Sequence, residues 1–136
     1  MSTVIRIAAA VITDDAGRVL LVRKRHTAAW MQPGGKLEPG ESPDVALARE
    51  LAEELGYELD PATFEHWGRF AADAANEVGH TVDCDIYRVR TDQVPLVAAE
   101  IEQLLWLEAG NPQGLILAPL LVEHVLPRLA QHEPEG

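Results

Sequence analysis

Three glutamates, Glu50, Glu53 and Glu54, stand at i, i+3 and i+4 in a stretch whose pattern is helical. At about 100° per residue they share one sector of the helix, where like charges repel by a few tenths of a kcal/mol per pair. They also fall in the C-terminal half of that helix, where the macrodipole favours cations. A bound divalent cation removes both penalties, so the spacing points to metal-assisted chemistry. A glutamate cluster alone is more often a solvated helix face, and the residues around it decide between the two.

Those residues bound a short helix. Ser42 is placed to cap the first turn, Pro43 suits the first helical position, and Asp44 suits the positive end of the dipole. Gly56 can turn left-handed just past the last turn. Val45, Ala48, Leu51, Ala52 and Leu55 form an apolar sector expected to face the core, opposite the carboxylates. Upstream, Pro33-Gly34-Gly35 reads as a tight turn that brings main-chain groups near whatever the carboxylates hold.

The segment from Gly35 to Tyr57 resembles the Nudix box, Gly-x5-Glu-x7-Arg-Glu-U-x-Glu-Glu-x-Gly-U, with U a bulky aliphatic residue. Gly35, Glu41, Arg49, Glu50, Leu51, Glu53, Glu54 and Gly56 match in register. Tyr57 departs from the last aliphatic position and is expected to serve as a core plug. Trp30-x-x-Pro33-Gly34-Gly35-Lys36 is similar to the run before the box in many members. The resemblance implies an α/β fold, a Nudix-type α/β/α sandwich with a mixed, curved sheet between helices. It implies hydrolysis of a phosphoanhydride bond in a nucleoside diphosphate linked to another moiety X. It also implies Mg²⁺ or Mn²⁺, two or more ions, held by Glu50, Glu53, Glu54 and the carbonyl of Gly35.

In the same resemblance Arg49 pairs with Glu41 or Glu50 and orients the metal ligands. A glutamate six residues before a tryptophan approaches the metal or the attacking water in the MutT-type branch, and Glu100 precedes Trp106 by that interval. Glu53 and Glu100 are therefore the two candidates for general base, with Glu102 the alternative if the register slips. A nucleotide-binding sensor without turnover is the competing class. It is disfavoured because every acidic position of the box is filled and no fused DNA-binding module is seen. In oxidised-guanine hydrolases of the family an asparagine near the final helix reads the purine. Residues 114–119 here, GLILAP, carry no amide, and Asn111 precedes them.

Outside the box, substrate phosphates require cations at the site. Arg23 and Arg25 project from one face of a strand and Lys24 from the other. Arg23 and Arg25, with Gly34 and Lys36, are the candidates for substrate binding; solvated strand-end charges are the alternative for the arginines. Trp30 either flanks the substrate or packs. Asp83 and Asp85 alternate with Val82, Cys84 and Ile86 and are read as the solvent-facing half of an antiparallel strand.

The elements that must position these groups alternate in type. Strands are expected at Val4–Thr13, Arg18–Arg25, Phe64–Ala72, Thr81–Arg90 and Leu104–Leu107, and a final helix at Ile116–Leu129, interrupted at Pro119 or Pro127. Interleaved strands and helices fit a layered α/β domain. The 136 residues suit one domain over residues 1–131, with 132–136 as a frayed tail. The net charge of −11 argues against nucleic-acid polymers but not against a nucleotide, since bound cations invert the local field. No apolar run approaches the length of a membrane span. A lone Cys84 and an amino terminus without a signal-peptide pattern lead to the expectation of a cytoplasmic protein, monomer or homodimer.

Overall fold

The computed structural model describes residues 3–108, 111 and 113–131. Alternation of small and branched apolar residues makes its central strand, β1 (Thr3–Val11), two-faced. Ala8, Ala10 and the following Ile12 point into one core, while Ala9 and Val11 point into another. The chain continues through β2 (Val19–Lys24), β3 (Gly34–Lys36), the helix α1 (Pro43–Leu55) and a single 3₁₀ turn (Pro61–Thr63). It then runs through β4 (Glu65–Asp73), β5 (His80–Arg88) and β6 (Ile101–Leu107), and ends in a wide π turn (Leu121–Val125) leading into α2 (Leu126–Gln131).

The sheet is mixed. β3-β1-β5-β4 form a four-stranded sheet in which β1 and β5 are parallel and the outer pairs antiparallel. β2 and β6 form an antiparallel ribbon. Main-chain bonds between Leu20 and Ile12 and between Val22 and Met31 tie that ribbon to the rest. Leu47, Leu51 and Leu55 of α1 fill one core with Leu20, Val22, Tyr57 and Ile101. Leu121, Val125, Leu126 and Leu129 fill the other with Val19, Leu21, Cys84 and Leu107. Helices therefore cover both faces, and Tyr57 is the expected plug, fully buried. No helix among the described residues is long and apolar enough to cross a membrane.

Several expectations are corrected. Pro33-Gly34-Gly35 is not simply a turn, because Gly34–Lys36 pairs with Ile7–Ala9 as an edge strand. Residues 116–118 are not helical: Trp30 N–H donates to the Ile116 carbonyl, and Ala118 N–H donates to the Trp30 carbonyl. That pairing packs Trp30 beside Leu117. The helix has its wide turn directly before Pro127, where a π turn accommodates a ring that would clash with the carbonyl of a regular α turn. Ser42 precedes α1 but does not cap it, as its hydroxyl donates to Asp44 Oδ1 at 2.7 Å. Asp85 is not solvent-facing. Arg6 and His66 close over it, leaving it 6% exposed, while Asp83 pairs with Arg69. The tail at 132–136 lies outside the described residues.

Candidate active site

The buried face of α1 is Ala46, Leu47, Leu51, Glu54 and Leu55, while Val45 and Ala52 point outward. The apolar sector anticipated from sequence is thus rotated, and the carboxylates are not opposite the core. Their i+3 and i+4 spacing instead carries Glu50 and Glu54 into the seam between α1 and β3. Glu53, one step further round, is 56% exposed. The helix ends at Gly56, in the left-handed conformation at φ 69°.

Two adjacent glycines make that seam possible. Gly34 has φ 150°, and a Cβ there would lie 2.1 Å from the Ala8 carbonyl oxygen on the neighbouring strand. A Cβ on Gly35 would lie 2.4 to 2.7 Å from the carboxyl atoms of Glu50. Gly34 N–H donates to Glu54 Oε1 at 3.1 Å. Gly35→Ala is therefore expected to push the Glu50 carboxyl out of place and lower kcat by roughly tenfold or more with the fold retained. Steady-state kinetics with a melting curve checks this, and unchanged kinetics would separate Glu50 from the chemistry.

Burial governs the charges. It raises the pKa of Glu54, 4% exposed, to about 7, against the opposing pull of Lys24 and the Gly34 amide. Burial also raises Glu50, opposed by its hydrogen bond from Arg49. Arg49 grips Glu41 with two nitrogens, at 2.8 and 2.9 Å, and donates to Glu50 Oε1 at 2.9 Å and to the Lys36 carbonyl at 3.0 Å. The Arg49 guanidinium, donating to both oxygens, holds Glu41 down at about 2. Arg49 thus ties the loop before α1 to Glu50. Glu41→Gln breaks the two-pronged grip, and the expected result is a kcat loss of roughly tenfold to a hundredfold, as when a ligand-orienting group is removed. A wild-type kcat in that variant would make the pair purely structural.

These groups face one cleft of about 600 Å³. Glu50, Glu53 and Glu54 line it with Gly34, Gly35 and Lys36, and Lys24 and Glu100 line it too, close enough to act on the charge of Glu54. The segment before β6 delivers Glu100. Leu96 N–H donates to the Leu55 carbonyl and Ala98 N–H to the Glu54 carbonyl, anchoring residues 96–98 on the end of α1. Glu100, in the turn that follows, comes within 4.0 Å of the Lys24 ammonium.

Of the strand-end cations, Arg23 is spent on Glu102, Gln103 and the Thr27 carbonyl, and neither Arg23 nor the exposed Arg25 lines the cleft. Lys24 does. By alternation it shares a strand face with Leu20 and Val22, the face that packs against α1. Lys24, Gln32 and Asn76 are lining residues not singled out as candidates from sequence. Only the Arg23-Lys24-Arg25 cluster gave any signal for the first.

The donors suit a hard divalent cation: they are carboxylates and a main-chain carbonyl, with no sulfur or imidazole. The buried Glu54 carboxyl, held near its uncharged form by desolvation, is a group that a cation would ionise. Among the described residues no three acidic or histidine side chains are already gathered into a metal cage. Arg49 lies 3.5 Å from Glu53 and occupies Glu50. The residues therefore fit a metal in kind.

Comparison with known proteins agrees with this geometry. The NUDIX domain model matches residues 4–115, and the chain belongs to the Nudix hydrolase family, whose members act on phosphoanhydrides. The solution structure of the E. coli ORF135 protein is 30% identical, with a TM-score of 0.69 over 95% of this chain and 88% of that one. The MutT protein from Methanosarcina mazei Go1 has the same fold at a TM-score of 0.78, with 20% identity over 98% of each chain. An RNA pyrophosphohydrolase from Pseudomonas putida is 48% identical over 50 residues, 37% of this chain and 31% of that protein. The match spans about a third of the length of that curated relative.

Proposed function

We propose that this protein is a metal-dependent pyrophosphohydrolase acting on a nucleoside diphosphate linked to X, such as a nucleoside triphosphate or an ADP-ribose-like compound. One cleft carries the reading: Glu50, Glu53, Glu54 and Glu100 line it together with Gly35, and the Lys24 ammonium lies 4.0 Å from Glu100. Mg²⁺ or Mn²⁺, when bound, neutralises phosphate charge and acidifies water. Glu50, Glu53, Glu54 and the Gly35 carbonyl would hold it.

The protein's own groups supply the rest. Lys24 and Lys36 bind and orient the phosphates. Water attacks one phosphorus of the anhydride, its proton passes to a carboxylate, and the bond to the bridging oxygen breaks. The proton acceptor must lie within hydrogen-bond reach of that water. Glu53, exposed on the cleft wall, and Glu100 are the two groups suited to that task. Arg49 positions Glu50 through its grip on Glu41.

The net charge of −11 supports a small nucleotide in preference to an RNA chain, despite the name of the partial relative. The single cysteine, free and buried, supports a reducing compartment such as the cytoplasm. The test is a screen of nucleoside triphosphates, ADP-ribose, dinucleoside polyphosphates and sugar nucleotides with Mg²⁺ and Mn²⁺. The expected products are a nucleoside monophosphate and a phosphorylated partner. Release of no product from any of these substrates would overturn the proposal.

A further inference from the structure

Among the described residues that line the cleft, one buried side chain has a polar atom without a partner. Gln32 is 5% exposed and lines the cleft, yet its amide nitrogen Nε2 is buried without an acceptor. A buried carboxamide donor left unpaired costs stability, so native structures keep one where it serves another purpose. Its position is fixed from both sides. Met31 exchanges two main-chain bonds with Val22 of β2, at 2.8 and 2.9 Å, and Ala10 N–H of β1 donates to the Pro33 carbonyl at 2.9 Å. Main-chain bonds at the residues before and after it hold the Gln32 backbone in place, and the side chain itself is 5% exposed.

Not all of the cleft is acidic. Ile5 and Ile7 of β1, Val82 of β5, Met31, Ala74 and Ala75 add an apolar lining to it. Asn76, at the rim, adds a second amide. An apolar slot with a few fixed amides suits a flat heterocycle with hydrogen-bonding edges; a polyol would need many more polar contacts.

We infer that Gln32 is a specificity-determining residue whose carboxamide reads the edge of the substrate's nucleobase. This rests on the reading of the cleft as a nucleotide pyrophosphohydrolase site. A carboxamide sets a donor and an acceptor side by side, the arrangement that pairs with an adjacent acceptor and donor on a base edge. A site built around such a bond discriminates strongly against a ligand that cannot make it, because the buried amide is then left unpaired.

The test uses the full chain carrying Gln32→Met, which keeps an unbranched side chain and removes the amide, with Gln32→Glu as the second variant. The four common ribonucleoside triphosphates are assayed with Mg²⁺, and melting temperatures are taken without metal or nucleotide. The expected result for Q32M is a higher melting temperature than wild type, since the orphan donor is gone. KM for the preferred nucleotide should rise roughly tenfold or more, and the spread of kcat/KM across the bases should shrink. Q32E is expected to lose the same preference, because its donor is replaced by an acceptor.

A lower melting temperature in Q32M with the base preference intact would overturn the inference and make Gln32 a packing residue. Equal kcat/KM for all four bases in the wild type would overturn it too, while leaving the proposed hydrolysis standing. A wild-type protein that hydrolyses no nucleotide would overturn both.

Discussion

Exchanging Glu53 for glutamine is expected to lower kcat at least ~10²-fold, the effect of losing a metal ligand or general base. Glu53 stands on the exposed part of the cleft wall, and the cationic Arg49 lies 3.5 Å away. An exposed ion pair of this kind contributes little to stability, so the melting temperature should stay near that of the wild type. Kinetics and a thermal melt on the same preparation separate the two effects. Turnover near wild type, with unchanged metal dependence, would remove Glu53 from the chemistry and leave Glu100 as the proton acceptor.

The second large effect concerns stability, and its sign comes from Glu54. Burial raises this carboxyl from 4.5 to about 7, so between those values the folded chain holds a proton that the unfolded chain has released. Stability without metal should therefore fall as the pH rises through that window, with the full penalty present above about pH 7. Glu50, also raised by burial, contributes in the same direction. Glu54→Gln keeps an oxygen for the Gly34 amide and removes the charge. It should raise metal-free stability above pH 7 by up to about 3 kcal/mol, largely flatten the pH dependence, and diminish the stabilisation by Mg²⁺. Urea unfolding at pH 5 and pH 8 with chelator present reads all but the last. A variant less stable than wild type at pH 8 would mean that the ionised carboxylate is structurally required.

The box was legible because its chemistry fixes residue types at fixed intervals along a single helix, and local intervals survive folding. Five of the six strands were legible in the same way, from their period of two, while β3, read as a turn, was not. What escaped was decided between elements. Whether Glu50 and Glu54 lie opposite the core or within the seam depends on β3 approaching through Gly34 and Gly35, which no helical wheel contains. That Lys24 rather than Arg23 or Arg25 lines the cleft follows from the face it shares with Leu20 and Val22, and which face α1 packs on is settled only in the folded chain. Asp85 looked like a solvent-facing strand residue, and it is buried because Arg6, from a parallel neighbour far away in the chain, covers it. Gln32 gave no local signal at all. Its interest lies in an absent partner, which only the packed structure reveals.

The central claim is that the carboxylate cleft hydrolyses a phosphoanhydride only with a divalent cation bound. The most direct measurement takes the best substrate of the screen and follows product release while EDTA removes, and excess Mg²⁺ then restores, the metal. Turnover is expected to stop with chelation and return with Mg²⁺, with the melting temperature rising over the same Mg²⁺ range. Tight nucleotide binding with no product at any Mg²⁺ or Mn²⁺ concentration would contradict it and make the protein a nucleotide sensor.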